Sequence, residues 1–314
     1  MGATRSVKLR AFFKRAWPWL LGVAIVAAIA TRVPIEAFGN AIHEGPHARL
    51  AAVDAAAMVG FLISDSLATW VALNVERVRW TVGRTFAVRG ATYLLSLLGY
   101  AVGQGGIVYY LHRGGMPTLR ATGVILFTMG TTFATLLLVT TVSWGFGSTS
   151  HPTLWWSLIG GCGAFAVYLA IIAIRPAALM RRAVLAPLFE AGLAGHALAI
   201  AARLPHVMLV VLGYWFAFLA WGIHVPFGVA MTVMPAVVIA AAIPIAPGGL
   251  GATQGALVVL FGDYAVGATS DARAANVLAF AIVHYVYGTL AQLVVGLVCA
   301  PLSRRGDSPP AQDA

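Results

Sequence analysis

Residues 153–175 read TLWWSLIGGCGAFAVYLAIIAIR, and no charged side chain interrupts this run before Arg175. A transmembrane helix needs about 20 consecutive apolar residues to cross the hydrocarbon core of a bilayer. Similar long apolar runs recur along the chain from Trp17 to Pro301. The fold is therefore decided by membrane-spanning segments, because no polar interval between the runs is long enough to fold by itself.

The composition agrees with this interpretation and excludes an ordinary soluble domain. Hydrophobic residues make up 60% of the 314 residues, charged residues make up 10%, and the mean hydropathy is +0.88. Backbone groups in a bilayer must satisfy their own hydrogen bonds, which leaves helices or a closed barrel. The runs are continuous and rich in alanine and leucine, so helices are predicted. We expect an all-α polytopic integral membrane protein, with one transmembrane domain over 1–302 and a disordered cytoplasmic tail over 303–314.

About eight segments qualify as transmembrane helices. Their approximate bounds are 16–36, 52–74, 120–144, 153–175, 183–203, 206–223, 226–246 and 272–300. Residues 183–203 have an alternative interpretation as an amphipathic helix at the membrane interface, because Glu190, His196 and Arg203 interrupt an apolar stretch. In that case the number of spans falls by one and the topology after it inverts.

Two further apolar stretches are rich in glycine and predict broken helices or re-entrant hairpins. Residues 247–261 open with PGGLG, and residues 91–111 contain Gly99, Gly103, Gly105 and Gly106. Glycine weakens a helix by about 1 kcal/mol per residue, and broken backbone at membrane depth is tolerated where protein or water covers it. Each stretch is followed by a short helix, a polar turn and a long span. With the two facing opposite leaflets, this layout is typical of the inverted repeats of transporters.

The basic residues set the predicted topology. Most of the 20 Lys and Arg residues form short clusters on one side of the apolar runs, as the positive-inside rule requires. This pattern accounts for the net charge of +10 without nucleic-acid binding. It places Arg89 in a cytoplasmic cluster and Arg203 outside. The sequence predicts a multi-pass protein of the inner membrane with both termini in the cytoplasm.

Ionisable residues within the apolar runs are candidates for chemistry. Asp65 lies mid-run, where a carboxylate costs about 2.5–3.5 kcal/mol and should face the bundle interior or water. Asp54, Asp65 and Glu76 are spaced by 11 residues, about three helical turns, so they share one face. Asp65 is either a gate, proton or cation site, or a structural partner for an Arg or His of another helix. Glu190 and His284 are further gate or proton candidates.

Two other patterns have a structural alternative beside the functional one. The last span carries a polar stripe, which usually faces a cavity or a partner helix; its members are Arg273, Asn276, His284 and Tyr287. Residues 43–47 read HEGPH, a literal match to the zinc-protease string HExxH. Pro46 would break the helical turn that the two histidines need, so a polar loop is expected. The sequence predicts no metal, no cofactor and no enzymatic activity.

Residues 243–256, IPIAPGGLGATQGA, are the most distinctive stretch. They resemble the signature of the flippase-like family, the transmembrane region of lysylphosphatidylglycerol synthases and its stand-alone relatives. The resemblance continues through LFG at 260–262, with an upstream half-match over 103–115. It implies lipid translocation, in some members coupled to aminoacyl transfer by an appended soluble domain. That domain is not expected here, because only 303–314 follow the last predicted span.

The resemblance also implies a head-group path. Family members commonly carry Glu where this chain has Gln254, and often an acidic residue where it has Gln104. Amides put charge-dependent coupling in doubt but keep hydrogen bonding to a head group. Glycine-rich breaks also expose N–H groups and positive helix N-termini that suit a lipid phosphate. The predicted path comprises Gly248, Gly249, Gly251, Gln254, Gly103, Gln104, Gly106, Arg113 and Arg273.

Three functions follow as hypotheses. The first is a translocase that moves a phospholipid or glycolipid between leaflets. The second is a non-catalytic membrane scaffold for a glycosyltransferase or a lipid-modifying enzyme. The third is a small-solute secondary transporter that uses Asp65. The expected partners are membrane lipids and, for the second hypothesis, such an enzyme.

Overall fold

A computed structural model of the chain describes residues 34–144, 152–242 and 250–305, together with Ala27 and Thr31. All regular structure in these residues is helical, which confirms the predicted all-α class for this part of the chain. The helices are α1 (Ile35–His43), α2 (His47–Val75), α3 (Val82–Ser96), α4 (Tyr100–Arg113), α5 (Thr118–Ser143), α6 (Pro152–Ile174), α7 (Ala177–Met180), α8 (Ala186–Trp221), α9 (Phe227–Ala242), α10 (Ala252–Phe261), a 3₁₀ turn (Gly262–Tyr264) and α11 (Ser270–Arg305).

Five of these helices, α2, α5, α6, α8 and α11, are long and apolar enough to cross a membrane. Four of them coincide with predicted spans, namely those at 52–74, 120–144, 153–175 and 272–300. Helix α9 covers 16 residues of the predicted span 226–246, and residues 243–246 of that span lie outside the described part of the chain. Most of the predicted span 16–36 lies outside the described residues. Helix α11 also includes residues 303–305, which the sequence assigned to the tail.

Helix α8 corrects the sequence prediction of two spans at 183–203 and 206–223. Its 36 residues form two helical segments joined by a kink at Gly192, and the longer segment runs through residues 203–206 without interruption. Pro205 lies inside it without ending it, because neighbouring helices can satisfy the backbone groups that a proline frees. The irregular residue is Gly192, with φ 58° and ψ −177°, where the helix kinks.

Glycines allow α8 to pack closely along α2. A Cβ atom on Gly195 would lie 2.7 Å from a methyl carbon of Val75, and one on Gly213 would lie 2.9 Å from the ring of Phe61. Helices with small residues at the interface approach one another more closely than larger side chains allow. This close packing brings the middle of α2 against the middle of α8.

The first glycine-rich stretch forms a helical hairpin of α3 and α4. The chain turns at Leu97–Gly99, where Gly99 has φ 142°, a conformation that favours glycine. A Cβ atom on Gly103 would lie 1.9 Å from Oγ of Ser96, so the two helices meet at that residue. The predicted break within 91–111 is therefore present. Its insertion into the membrane from one side stays a prediction.

The second glycine-rich stretch contributes the short helix α10 to the core. Gly251 precedes the helix with φ 87°, and residues 243–249 lie outside the described part of the chain. Phe261 at the end of α10 packs 4.9 Å from the ring of Phe218, which lies 4.8 Å from that of Phe280. These aromatic contacts join α10, α8 and α11. The predicted inverted relation between the two glycine-rich stretches stays a prediction.

Candidate functional site

Asp65 lies in the middle of α2 and is 4% exposed. Its Oδ2 accepts a hydrogen bond from Nε of Arg89 on α3 at 2.9 Å, and Arg89 Nη2 also donates to Oδ2. Arg203 on α8 donates from Nη1 to Oδ1. The hydroxyl of Tyr93 is 3.3 Å from Oδ2. One carboxylate therefore holds together three helices, which is the structural partnership left open by the sequence.

The ion pairs around Asp65 leave positive charge unbalanced. Two guanidinium groups share this single carboxylate, and both arginines are at least nine-tenths buried. Arg89 Nη1 and Arg203 Nε have no hydrogen-bond partner. Leaving a buried donor without a partner costs about 1–3 kcal/mol, and more when the group is charged. The arrangement is therefore suited to an anion that supplies the missing acceptors.

A cavity of about 280 Å³ adjoins these arginines and is called the basic cavity below. Asp65 is the sole carboxylate among the described residues that line it. The other polar side chains on its wall are neutral or basic and come from several helices; they are Thr69, Ser96, Tyr100, Gln104, Thr128, Thr132, His206 and Gln292. Arginine forks and hydroxyl or amide donors form the pattern that proteins use to bind phosphate.

A second cavity of about 210 Å³ lies beside the basic cavity and is called the Asp–His cavity below. The two cavities share Ser96, Ala241 and Gln292 on their walls. Asp54 Oδ1 lies 2.8 Å from Nδ1 of His284, within ion-pair distance, although the angle is not that of a hydrogen bond. The two cavities are therefore neighbours within the helix bundle.

Each glycine-rich stretch contributes one glutamine to the wall of one cavity. Gln104 on α4 lines the basic cavity, and its Oε1 has no hydrogen-bond partner. Gln254 on α10 lines the Asp–His cavity, and its Oε1 accepts from the backbone N–H of Gly251 at 2.6 Å. Both side chains are buried. The two positions that the sequence paired by resemblance thus lie on the walls of neighbouring cavities.

Residues 19–296 match the family model described as the lysylphosphatidylglycerol synthase transmembrane region. The chain belongs to this family. The match covers both glycine-rich stretches and every residue that lines the two cavities. It indicates a membrane protein related to lipid synthesis or lipid flipping. No curated protein and no solved structure matches the chain.

The other predicted site residues that the structure describes do not line the two cavities. Arg113 is exposed at the end of α4. Arg273 on α11 is 3.8 Å from Asp263, with about a third of its side chain exposed. Glu190 forms a surface ion pair with Arg120 at 2.5 Å. Gly248 and Gly249 lie outside the described residues.

Gly103 and Gly106 in this family member have a packing role. A Cβ atom on Gly106 would lie 2.6 Å from a methyl group of Leu95 and 2.8 Å from one of Thr92. Both glycines face α3 and close the hairpin. They therefore position Gln104, which lies between them in sequence, on the wall of the basic cavity.

The positive-inside count placed Arg89 in the cytoplasm and Arg203 outside, and both placements are wrong. The two residues are 7% and 3% exposed and bind Asp65. The sequence contained one sign that Arg203 is buried: Arg203 and His196 are seven residues apart and share a helix face. His196 is likewise buried, with Nε2 2.6 Å from the hydroxyl of Tyr168.

Asp54, Asp65 and Glu76, which the sequence places on one helix face, are all at most 5% exposed. Glu76 follows the last residue of α2, and neither carboxylate oxygen has a hydrogen-bond partner. Burial raises the pKa of Glu76 to about 7, and the neighbouring Glu190 carboxylate raises it too, while Arg120 lowers it. Glu76 is therefore partly protonated near neutral pH.

The HExxH string forms a turn between α1 and α2. His43 ends α1, residues 44–46 form the loop, and His47 begins α2. His47 Nε2 is 2.6 Å from the carbonyl of Ile42, and its Nδ1 is 3.0 Å from the hydroxyl of Tyr287. These contacts engage both ring nitrogens of His47 and tie the start of α2 to the polar stripe of α11.

Proposed function

We propose that this chain is a lipid translocase of the inner membrane, with cytoplasmic termini, that moves an anionic phospholipid or glycolipid, with a phosphate in its head group, between leaflets. It has no enzymatic activity of its own in this proposal. The observation that carries the proposal is the pair of arginines sharing one carboxylate beside the basic cavity. Uncompensated positive charge in a membrane interior is costly, and an anionic head group would relieve that cost.

The arginines would bind the lipid phosphate in competition with Asp65. Opposite charges about 4 Å apart interact by about 4 kcal/mol at an effective dielectric constant of 20, so the phosphate and the carboxylate are comparable partners. Arg89 Nη1 and Arg203 Nε are the donors already free to meet the phosphate. Gln104, on the same wall, adds an amide donor. The head group would be held by hydrogen bonds while the tails stay in lipid.

The Asp–His cavity would be the next position along the path. Ser96 and Gln292 lie on both cavity walls, so a head group leaving the arginines would meet them next. Beyond them lie Gln254 and the Asp54–His284 pair. That pair is the better proton site for coupling, because both oxygens of Asp65 already bind arginine.

Lipid exchange in liposomes that contain only the purified protein tests the proposal. Labelled phosphatidylglycerol, a polyprenyl-phosphate sugar and a zwitterionic lipid would be compared by their accessibility to an impermeant quencher. We expect the protein to accelerate exchange of a phosphate-bearing anionic lipid and Arg203→Gln to abolish it. Arg273→Gln is the matched control, because Arg273 is partly exposed and lies outside both cavities.

A second variant separates loss of function from loss of folding. Gln104→Ala removes an amide whose Oε1 has no partner, so the fold should tolerate it while exchange slows. Exchange of the zwitterionic lipid at the same rate as the anionic lipids would refute the charge argument. No exchange of any lipid by folded protein would favour the scaffold hypothesis, in which a glycosyltransferase or lipid-modifying enzyme co-purifies with the chain.

A further inference from the structure

Helix α6 is the most loosely packed of the five long apolar helices. Only 11% of its most apolar window is buried, against 56% for α5. Its residues face α5 and α8, and the hydroxyl of Tyr168 binds His196 on α8 at 2.6 Å. A helix attached in this way leaves a groove beside its neighbour.

That groove lies between α5 and α6 and has a volume of about 340 Å³. Its described walls are almost entirely hydrocarbon and aromatic surface, contributed mainly by Gly130, Phe133, Leu137, Gly161, Phe165 and Tyr168. The polar atom of Tyr168 is already engaged by His196. The groove therefore offers an apolar ligand a surface and offers a polar head group nothing to bind.

Phe133 is the link between the groove and the basic cavity, because its side chain lines both. On α9, Val238 lines the basic cavity and its neighbour Ile239 lines the groove. The ring of Tyr100, which also faces the basic cavity, meets the ring of Phe133 edge-on at 6.5 Å. A single layer of side chains thus separates an apolar groove from a cationic cavity.

We propose that the groove binds one hydrocarbon chain of the anionic lipid whose phosphate occupies the basic cavity, with Phe133 between head group and chain. This inference rests on the proposed function. A lipid is the occupant that fits, because the apolar groove matches its hydrocarbon chain and the adjoining basic cavity matches its phosphate. Lipid then enters sideways between α5 and α6, and each CH₂ group that the groove buries is held by the same apolar contacts that fill protein cores.

Substitution of one glycine would fill the groove, and substitution of a second glycine provides the control. A Cβ atom on Gly130 would meet nothing within 4 Å, so Gly130→Leu would project into the groove. Gly163 on α6 is equally open but does not line the groove. Gly163→Leu is therefore a matched control for the helix and for the added side chain.

The test is photolabelling in liposomes with a phosphatidylglycerol that carries a diazirine in one acyl chain. A phosphatidylcholine with the same acyl chain is the reference. We expect the anionic probe to label peptides over 130–137 and 161–168 several-fold more than the zwitterionic probe. Gly130→Leu and Arg203→Gln should each remove that preference, and Gly163→Leu should keep it.

Equal labelling by the two probes, or a preference that survives Gly130→Leu, would overturn the inference. Failure of the proposed function looks different, because labelling does not require transport. If wild-type protein moves no lipid but shows the labelling preference, the groove stands and the translocase proposal falls. If exchange depends on Arg203 while Gly130→Leu changes neither exchange nor labelling, the groove falls and the translocase proposal stands.

Discussion

Replacing Asp65 with Asn removes the negative charge that two buried arginines share. Arg89 and Arg203 both bind this carboxylate, and the side chains of all three residues are at most 8% exposed. Removing one partner of a buried ion pair costs about 3–5 kcal/mol, because the remaining charge stays buried without compensation. Two arginines lose their partner here, so we expect a loss of unfolding free energy toward the upper end of that range.

Asp263→Asn is the matched control for this substitution. The Asp263 side chain is 94% exposed and 3.8 Å from Arg273. Exposed ion pairs contribute about 0–1 kcal/mol. The same change of an aspartate to an asparagine should therefore hardly alter the unfolding free energy at this position.

The assay is unfolding of purified protein in mixed micelles, with and without anionic phospholipid. Without lipid, Asp65→Asn should be far less stable than wild type or Asp263→Asn. With anionic phospholipid, the variant should regain more stability than wild type, because phosphate no longer competes with the carboxylate. If Asp65→Asn lowers the unfolding free energy no more than Asp263→Asn does, the shared ion pair contributes nothing to stability. If zwitterionic lipid restores the variant equally well, the cavity does not select anions.

Three further predictions concern packing, pH and coupling. Gly103→Ala should destabilise the protein by about 1–3 kcal/mol, because the new Cβ would clash with Ser96. Gly105→Ala is the control, because Gly105 has open space around it, and it should not destabilise the protein. Equal losses of unfolding free energy for the two variants in chemical unfolding would contradict the hairpin packing. Because burial raises the pKa of Glu76 from 4.5 to about 7, wild-type stability should fall as pH rises through that interval. Glu76→Gln should flatten the profile of thermal midpoint against pH, and an unchanged profile would show that another group titrates. His284→Gln should abolish any response of lipid exchange to a pH step across the liposome membrane, and a persisting response would assign coupling to another residue.

The sequence predicts the long helices well, because the length of an apolar run is a direct physical requirement of a bilayer. The break near Gly99 was also predictable, since glycine at that density disfavours a continuous helix. The division at 203–206 was wrong because Pro205 breaks helices in water far more readily than inside a helical bundle. Nothing comparable in the sequence predicts the kink at Gly192.

The arginines of the candidate site were the hardest to predict. A count of positive charges treats every Arg near the end of an apolar run as interfacial, and it cannot show that Arg89 and Arg203 meet one carboxylate. That fact depends on how α3 and the distant helix α8 both pack against α2. Asp65, by contrast, was predictable, because a carboxylate in the middle of an apolar run needs a partner.

Gln104 and Gln254 differ in how replacement by a negatively charged glutamate would affect the protein. Gln254 uses its side-chain oxygen to cap the start of its own helix, a task that a glutamate would perform equally well at a positive helix terminus. Gln104 has its oxygen free on the wall that holds the two arginines. A glutamate there would supply the second negative charge that the arginines lack and bring the cavity to electrical balance. The choice of amide over acid at this one position therefore decides whether the cavity attracts an anion or is already neutral without one.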